Sequence, residues 1–120
     1  MRPHERLKLW KKAVEFAVRI YRLTNSFPKE EKFGLTSQIR PAAVSVPANI
    51  AEGAGRHSDK ECLHFLSNAQ GSASELSTEL LIACRLEYVN QRAYMEASNE
   101  LEEIGRMIVG LSQKVRTRIT

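Results

Sequence analysis

The segment VSVPANIAEGAGR, residues 44–56, contains the glycines and polar side chains that come closest to a recognisable site. Gly53 and Gly55 are spaced as in loops that cradle a phosphate. Such a loop requires a preceding strand, a following helix and, in a P-loop, a Gly-Lys-Ser/Thr ending. Here the glycines follow a predicted helix and are followed directly by Arg56. We therefore interpret the segment as a helix C-terminus, where Gly53 or Gly55 adopts the left-handed conformation that ends helices.

A carboxylate in the last turn of a helix, as Glu52 is predicted to be, faces the negative end of the helix dipole. We therefore expect a cationic partner, and Arg56, four residues further on, is the nearest candidate. Pro47 and Pro41 each remove a hydrogen bond from this helix, at a cost of about 3 kcal/mol where packing does not compensate. Two such positions predict a helix that curves around its neighbours or is split near residue 41.

Other groups that could do chemistry are few. His57, Cys62 and His64 are close in sequence, but the last two point to different faces of a helix, and zinc requires three or four convergent ligands. No serine is placed with a histidine and an acid in a recognisable arrangement. Glu75 and Glu79 share a helix face, yet the Glu-x-x-His pairs of carboxylate bundle sites are missing. The sequence predicts no enzyme, no metal or other cofactor and no small-molecule substrate.

Four amphipathic helices must position these residues, because apolar side chains recur at spacings of three and four along nearly the whole chain. The four apolar stripes are Leu9, Ala13, Phe16, Ile20 and Leu23; then Leu35, Ile39, Ala43, Val46 and Ile50; then Cys62, Leu66, Ala69, Ala73, Leu76, Leu80 and Ala83; and finally Tyr94, Ala97, Leu101, Ile104, Ile108, Leu111 and Val115. Strand signals are nearly absent. The predicted class is therefore all-α.

The ends of these helices can also be predicted. The first helix should stop before Pro28, which disfavours the α conformation in the preceding residue. Ser58 and Glu61 fit a capping box at the start of the third helix, and Asn90 fits an N-cap for the fourth. Helices joined by such short turns pack in alternating directions. We therefore expect a single up-down-up-down four-helix bundle over residues 1–120.

A second stripe of small residues runs beside the apolar one. It consists of Ser67, Gly71, Ser74 and Thr78 on helix three, and of Gln38, Ala42, Ser45, Asn49 and Glu52 on helix two. Small residues let helices approach closely. Gly71 costs a lone helix about 1 kcal/mol relative to alanine, so close approach would explain its presence. The sequence leaves open whether that contact lies inside the bundle or between subunits.

Composition places the chain among ordinary soluble domains, with 42% apolar and 27% charged residues. No run of eighteen apolar residues could cross a membrane, and the N-terminal residues lack the apolar stretch of a secretory signal. We therefore expect a cytoplasmic protein without membrane association. Cys62 and Cys84 lie on one predicted helix, roughly 33 Å apart along its axis, which is too far for a disulfide. Both are predicted to be core thiols.

The net charge of +4 is distributed unevenly, with +6 over residues 1–40, −5 over residues 41–113 and +3 over the remainder. In an up-down bundle, the start of helix one, the turn between helices two and three and the end of helix four lie at the same end. This end, which we call the basic pole, contains Arg2, Arg6, Lys8, Lys11, Lys12, Arg56, Lys60, Lys114, Arg116 and Arg118. Such a surface could bind an anionic polymer or could be an ordinary solvated end.

Several motifs resemble those of a known family. They are EKFGLTSQIRPAAVSVPANIAEGAGR, with its most specific parts at residues 33–36 and 47–53, and FLSNAQGSASELSTELLIACRLEYV, with specific parts at residues 71–73 and 75–76. In these motifs the chain is similar to the four-helix-bundle family known as S23 ribosomal protein, or 23S rRNA intervening-sequence protein. The similarity extends from residues 7–10 to the end of helix four.

The resemblance implies a left-handed up-and-down bundle that assembles as a ring-like homopentamer and has no assigned catalytic residues. Many members are reading frames inside intervening sequences of bacterial large-subunit rRNA genes. A distant relative, the accessory protein of diversity-generating retroelements, binds nucleic acid and a reverse transcriptase. Segment 44–56 is then a structural helix end, in which Asn49 and Glu52 contact other helices or protomers. Pro41 departs from the family pattern, because a basic residue usually follows Arg40, and this weakens any basic stripe on helix two.

Two functions follow as hypotheses. The first is a non-catalytic oligomer that binds RNA or another nucleic acid through the basic pole. Because no aromatic-rich surface accompanies the cations, binding would follow shape and charge rather than base sequence. The second is a ring that serves as a scaffold for a protein partner, with a basic pole that is merely solvated. Salt dependence separates the two, since phosphate contacts weaken steeply with salt.

Overall fold

The regular structure of the computed structural model, which describes residues 2–119, is entirely helical over that range. The α-helices are α1 (Lys8–Thr24), α2 (Leu35–Ala54), α3 (Asp59–Arg85) and α4 (Gln91–Arg116), with 3-10 helices at Pro3–Arg6 and Lys29–Phe33. This confirms the all-α class with four α-helices. None of the helices within residues 2–119 is long and apolar enough to cross a membrane.

The core is formed by the four predicted apolar stripes. Most of their members are buried, and the half-buried exceptions are Leu23, Leu35, Cys62, Tyr94 and Leu111. The largest fully buried side chains are Ile20, Ile39, Ile50, Leu66, Leu76, Leu80, Ile104 and Ile108. Full burial of a side chain of this size contributes about 1.5–3 kcal/mol. The stripes therefore supply the main stabilising term of the fold.

Each helix packs against two others: α1 and α3 both contact α2 and α4. The Oγ atoms of Ser45 in α2 and Ser72 in α3 lie 2.8 Å apart. Gly53, which comes later in α2 than Ser45, lies beside Cys62, which comes earlier in α3 than Ser72. Residue numbers thus rise along α2 as they fall along α3. Between α1 and α4 the same holds for Lys12 with Glu103, at 3.0 Å, and Arg19 with Glu100, at 2.7 Å.

The predicted N-caps of α3 and α4 and the end of α1 are confirmed. The capping box of α3 is incomplete, because the Glu61 carboxylate accepts a hydrogen bond from Ser58 Oγ at 3.2 Å and not from the Ser58 N–H. Ser58 Oγ accepts a hydrogen bond from the backbone N–H of Glu61 at 3.1 Å, and Asn90 Oδ1 accepts one from the N–H of Ala93 at 2.8 Å. Each bond satisfies an N–H group that the helix itself leaves without a partner. Helix α1 ends at Thr24, before Pro28.

The expected left-handed glycine at the end of α2 is wrong. Gly55 has φ −89° and ψ −2°, and none of the glycines within residues 2–119 has a positive φ. Gly55 instead keeps the right-handed helical conformation. Its N–H donates hydrogen bonds to the carbonyls of Ala51 and Glu52, both at 3.2 Å. The residue with a positive φ is Glu87, at 65°, in the turn between α3 and α4.

Gly53 has a different role from the one predicted. A Cβ atom at this position would lie 3.2 Å from the carbonyl oxygen of Cys62 and 3.2 Å from Cβ of Phe65. Glycine therefore allows α2 and α3 to approach closely at this point. Of the two alternatives for this helix, curvature or a split near residue 41, the split is wrong, since α2 is continuous over Leu35–Ala54 with both prolines inside it. Pro47 is buried against α1, and packing of this kind compensates for a lost hydrogen bond.

Gly71 makes no close contact within the chain. A Cβ atom there would meet nothing within 4 Å, and the other small residues of its stripe, Ser67, Ser74 and Thr78, are also exposed. Of the two alternatives for the stripe, a contact inside the bundle is therefore wrong for Gly71. A contact between subunits stays a prediction.

The two cysteines are not core residues, contrary to the prediction. Both are free thiols and half-buried. The physical reason is their position: Cys62 lies in the first turn of α3 and Cys84 in its last turn, where fewer helices surround a side chain than at the middle of the bundle. Burial nevertheless raises the pKa of the Cys62 thiol, with a smaller contribution from the nearby Asp59 carboxylate.

Candidate nucleic-acid interface

The N-terminal residues are folded back onto the bundle. The 3-10 helix Pro3–Arg6 contacts α1 and α2, and the His4 ring meets the Trp10 ring edge-on, with 4.8 Å between ring centroids. A proline near the start of the segment favours its helical turn. The cationic residues before α1 are therefore held beside the bundle.

A cavity of about 230 Å³ joins four chain segments at this end of the bundle. Its walls come from the N-terminal segment, the end of α2, the start of α3 and the end of α4. The residues that represent these segments are Pro3, Leu7, Gly53, Arg56, Asp59, Cys62, Val115 and Arg118. Four stretches that are distant in the sequence thus meet at one end of the molecule, and they bring Arg56 and Arg118 to the same cavity.

A neighbouring pocket of about 540 Å³ brings Arg2 together with Arg56, His4 and His57. Glu52 is also part of its lining. The three lysines of α1 lie elsewhere, in a groove of about 400 Å³ that also contains acidic side chains of α1 and α4; the lining comprises Lys8, Lys11, Lys12, Glu15, Glu103 and Met107. Arg56 thus shares one pocket with Arg2 and another with Arg118, whereas the three lysines of α1 share a separate groove.

Three of the ten cations are paired with acids. Arg56 contacts the Glu52 carboxylate at 2.7 Å, which confirms the predicted pairing. Arg118 lies 3.6 Å from the Asp59 carboxylate, and Lys12 lies 3.0 Å from that of Glu103. These pairs are largely exposed, so each contributes about 0–1 kcal/mol to stability. They also reduce the positive charge that the three cations offer to a ligand.

The other seven cations form no ion pair within residues 2–119. They are Arg2, Arg6, Lys8, Lys11, Lys60, Lys114 and Arg116. All seven are exposed.

Arg56, one of the three paired cations, also contacts the Phe65 ring, whose centroid lies 4.6 Å from the guanidinium carbon of Arg56, as in a cation–π contact. Over residues 2–119 the basic pole therefore has seven exposed cations without an ion pair and three that are paired with acids.

The side chain of Asn49 forms two hydrogen bonds within α2. Its side-chain amide donates to the carbonyl and to the Oγ of Ser45, both at 2.9 Å and both within α2. Glu52 likewise pairs within α2, with Arg56. The hydrogen bonds of both side chains are thus formed one turn away on the same helix, and contacts with other helices or protomers stay a prediction.

At the opposite end of the bundle, the Glu31 carboxylate links two chain segments by hydrogen bonds. Its Oε1 accepts a hydrogen bond from the N–H of Leu35 at 3.0 Å, and its Oε2 accepts one from the Tyr88 hydroxyl at 2.8 Å. The bond from the Leu35 N–H, followed by that from Tyr88, lowers the pKa of Glu31. The same carboxylate raises the pKa of Tyr88. Lys29 and Lys32 lie in the 3-10 helix at this end.

Glu79, which the sequence places on one helix face with Glu75 but does not predict to be buried, is a buried acid. Its residue exposure is 5%, although Glu75, four residues earlier, is exposed. Burial, and then the hydrogen bond and charge of Glu75, raise the pKa of Glu79 to about 7. The available signal was its place between Leu76 and Leu80, beside the apolar stripe. Within residues 2–119 no group of three or more His, Cys, Asp or Glu side chains could hold a metal ion.

Comparison with known proteins identifies a family and a similar solved structure. The sequence model of the 23S rRNA-intervening sequence protein family matches residues 5–110. A crystal structure from Bacteroides thetaiotaomicron, described as a protein of unknown function from the S23 ribosomal protein family, superposes with a TM-score of 0.81. It is 28% identical in sequence, and the match covers 87% of this chain and 97% of that one. A search of curated proteins found no match.

Proposed function

Because the chain belongs to the 23S rRNA-intervening sequence protein family, we propose that it is a non-catalytic oligomeric protein that binds RNA or another nucleic acid through its basic pole. The observation that carries this proposal is the cavity at which the N-terminal segment and the ends of α2, α3 and α4 meet. It supports a common location for cations that are far apart in the sequence. The exposed members of the pole that have no ion pair are available to phosphates.

The proposed architecture is a single left-handed, up-down-up-down four-helix bundle. The opposite running of residue numbers in the Ser45–Ser72 pair and in the Lys12–Glu103 pair supports alternating helix directions. Alternation places the start of α1 and the end of α4 at one pole, as the nucleic-acid proposal requires. With phosphates as the main contacts, the protein would recognise the shape and charge of a nucleic acid rather than its base sequence.

We further propose that the protein assembles with itself, as a homopentamer, in the cytoplasm. Support comes from a groove of about 320 Å³ between α1 and α2 whose lining is apolar: Val14, Ala17, Val18, Tyr21, Val44 and Pro47. Val18 and Val44 are 43% and 45% exposed. A closed ring requires two different surfaces that fit each other, and the exposed small residues of α3 are a candidate for the second.

The alternative function is a scaffold for a protein partner, and the same apolar groove between α1 and α2 favours it. In that case the groove receives another protein, and the basic pole is solvated. The two functions predict different salt dependence, because only phosphate contacts release counterions.

The test is fluorescence anisotropy of a labelled structured RNA, titrated with the full chain at several salt concentrations. The proposal expects binding at low salt and a linear fall of log affinity with log salt, with a slope of roughly −0.7 to −0.9 for each phosphate contact. A sulfate-free buffer is used throughout, since multivalent anions compete for the same cations. Absence of binding at low salt would reject the nucleic-acid proposal and favour the scaffold.

A further inference from the structure

Glu79 contains an unpartnered atom at a buried position. Its Oε1 is the one buried side-chain nitrogen or oxygen without a hydrogen-bond partner within residues 2–119. The residue is 5% exposed and lies in α3 between Leu76 and Leu80, which are 0% and 1% exposed. A charged carboxylate in such surroundings is strongly disfavoured, whereas a protonated one is tolerated.

The position of Glu79 relative to α2 follows from the Ser45–Ser72 contact. Seven residues onward along α3 from Ser72 is Glu79, and seven residues back along α2 from Ser45 is Gln38. Seven residues are close to two full helical turns, so Glu79 lies on the side of α3 that faces α2, opposite Gln38. Gln38 carries no charge that could neutralise a carboxylate.

Cations near this part of α2 are already engaged. Arg40 is the one charged residue between positions 35 and 45 of α2, and its side chain bonds to Thr24 Oγ1 at 2.8 Å and to Asn25 Oδ1 at 3.2 Å, towards α1. On α3 itself, the charged group that acts on Glu79 is Glu75.

Helix α4, on the other side of α3, supplies no counter-charge either. Its Glu96 and Glu100 are paired with Arg19 of α1. Glu102 and Arg106 line a groove with Ser74 and Ser77, which lie on the side of α3 turned away from α2. Over the described range 2–119, Glu79 therefore has a neighbouring carboxyl group but no cationic partner.

We propose that the buried carboxyl group of Glu79 makes the packing of α2 against α3 depend on a proton: Glu79 is protonated in the packed state and shares this proton with Glu75, and loss of the proton weakens the contact between the two helices. The pair lies four residues apart on one helix, which brings the two carboxyl groups together. One protonated and one ionised carboxyl group can form a hydrogen bond, whereas two ionised groups repel each other.

The direction of the pH effect follows from the pKa values. The pKa of Glu79 rises from 4.5 to about 7 in the folded protein, so between these values the folded state binds more protons than the unfolded state. The contribution of Glu79 to stability therefore falls as the pH rises from about 4.5 to about 7, and it stays low at higher pH. The expected loss in the folding equilibrium constant is on the order of a hundredfold.

The experiment compares urea unfolding of the wild-type protein and of Glu79→Gln between pH 5 and pH 8.5. Glutamine has nearly the same shape and cannot ionise. The ratio of the variant's folding equilibrium constant to that of the wild type should therefore rise on the order of a hundredfold over this range. Glu102→Gln, an exposed acid on α4 without an ion pair, is the matched control and should keep the wild-type pH profile. Equal pH profiles for the wild type and Glu79→Gln would overturn the proposal.

A second measurement does not depend on a variant that folds. The carboxyl carbon of Glu79 is followed by NMR in the wild-type protein as the pH is changed. The proposal expects a titration midpoint near neutral pH, and a midpoint below pH 5.5 would overturn it. Glu75→Gln removes the neighbouring charge and should shift the midpoint to lower pH. An unchanged midpoint in that variant would overturn the proposal that Glu79 shares its proton with Glu75.

Discussion

Ser45 and Ser72 join the middle of α2 to the middle of α3 through a hydrogen bond of 2.8 Å between their Oγ atoms. The hydroxyl of Ser45 also accepts a bond from the Asn49 amide at 2.9 Å. The polar stripe on α2 is thus a short chain of hydrogen bonds that ends on α3. It fixes the relative position of two helices whose neighbouring contacts are apolar.

Ser45→Ala should destabilise the protein more than Ser72→Ala. The first change removes the bond to Ser72 and one bond to Asn49, whereas the second removes only the bond between the helices. At about 0.5–1.5 kcal/mol for each lost bond, we expect losses of about 2 and 1 kcal/mol in the free energy of unfolding. Urea denaturation measures both. Ser74→Ala, on the exposed side of α3, should change stability by less than about 0.5 kcal/mol.

Gly53→Ala should destabilise the protein, although alanine favours helix. The new Cβ atom would lie 3.2 Å from the carbonyl oxygen of Cys62 and from Cβ of Phe65, and overpacking of this kind costs about 1–3 kcal/mol. Thermal unfolding measures the effect. Gly110→Ala is the control, because a Cβ atom there has nothing within 4 Å, and it should gain about 0.5–1 kcal/mol. A stabilised Gly53→Ala would show that the two helices can separate at no cost.

Gly71→Leu should reduce assembly without unfolding the chain. The position is open within one chain, so a leucine there can clash only with another molecule. Light scattering measures the mass in solution, and circular dichroism measures the retained helix content. If the assembly and its melting temperature were unchanged, the small-residue stripe of α3 would be solvent-facing. A wild-type mass of 13.6 kDa at all micromolar concentrations would reject self-assembly altogether.

Lys114→Gln combined with Arg116→Gln should weaken RNA binding and flatten its salt dependence. Both residues lie in the last turn of α4 and are exposed, so the fold should be retained. Two lost phosphate contacts should reduce the slope of log affinity against log salt by roughly 1.4–1.8.

Lys29→Gln combined with Lys32→Gln removes the same charge from the opposite end of the bundle and is the matched control. Its slope should equal that of the wild type. Equal losses in both double variants would mean that binding follows net charge rather than the basic pole.

The sequence predicted the parts of the fold that depend on periodic patterns and local hydrogen bonds. The apolar stripe of α3 from Leu66 to Ala83 is buried because helical spacing alone determines which side chains share a face. The caps at Ser58 and Asn90 require only a side chain and an N–H group three residues on. The Glu52–Arg56 pair was predictable for the same reason, since both residues lie on one helix.

Features that depend on the distance between helices were not predictable in this way. The role of Gly53 follows from the approach of Cys62 and Phe65, which no spacing within α2 reveals. Glu79 lies at the margin of the apolar stripe, where burial depends on how closely α2 approaches. The separate groove of the three α1 lysines likewise depends on where the side chains of α4, such as Glu103, meet those of α1.

The half-buried thiols at the two ends of α3 provide a built-in pair of reporters. Cys62 lines the cavity of the basic pole together with Arg118, whereas Cys84 lies near Gln91 at the other end, with 3.5 Å between its Sγ and the amide oxygen. A thiol-reactive fluorophore on Cys62 would therefore sense a ligand at the pole, and one on Cys84 would serve as the internal reference. With single-cysteine variants, the location of a bound molecule becomes an optical signal that needs no labelled nucleic acid.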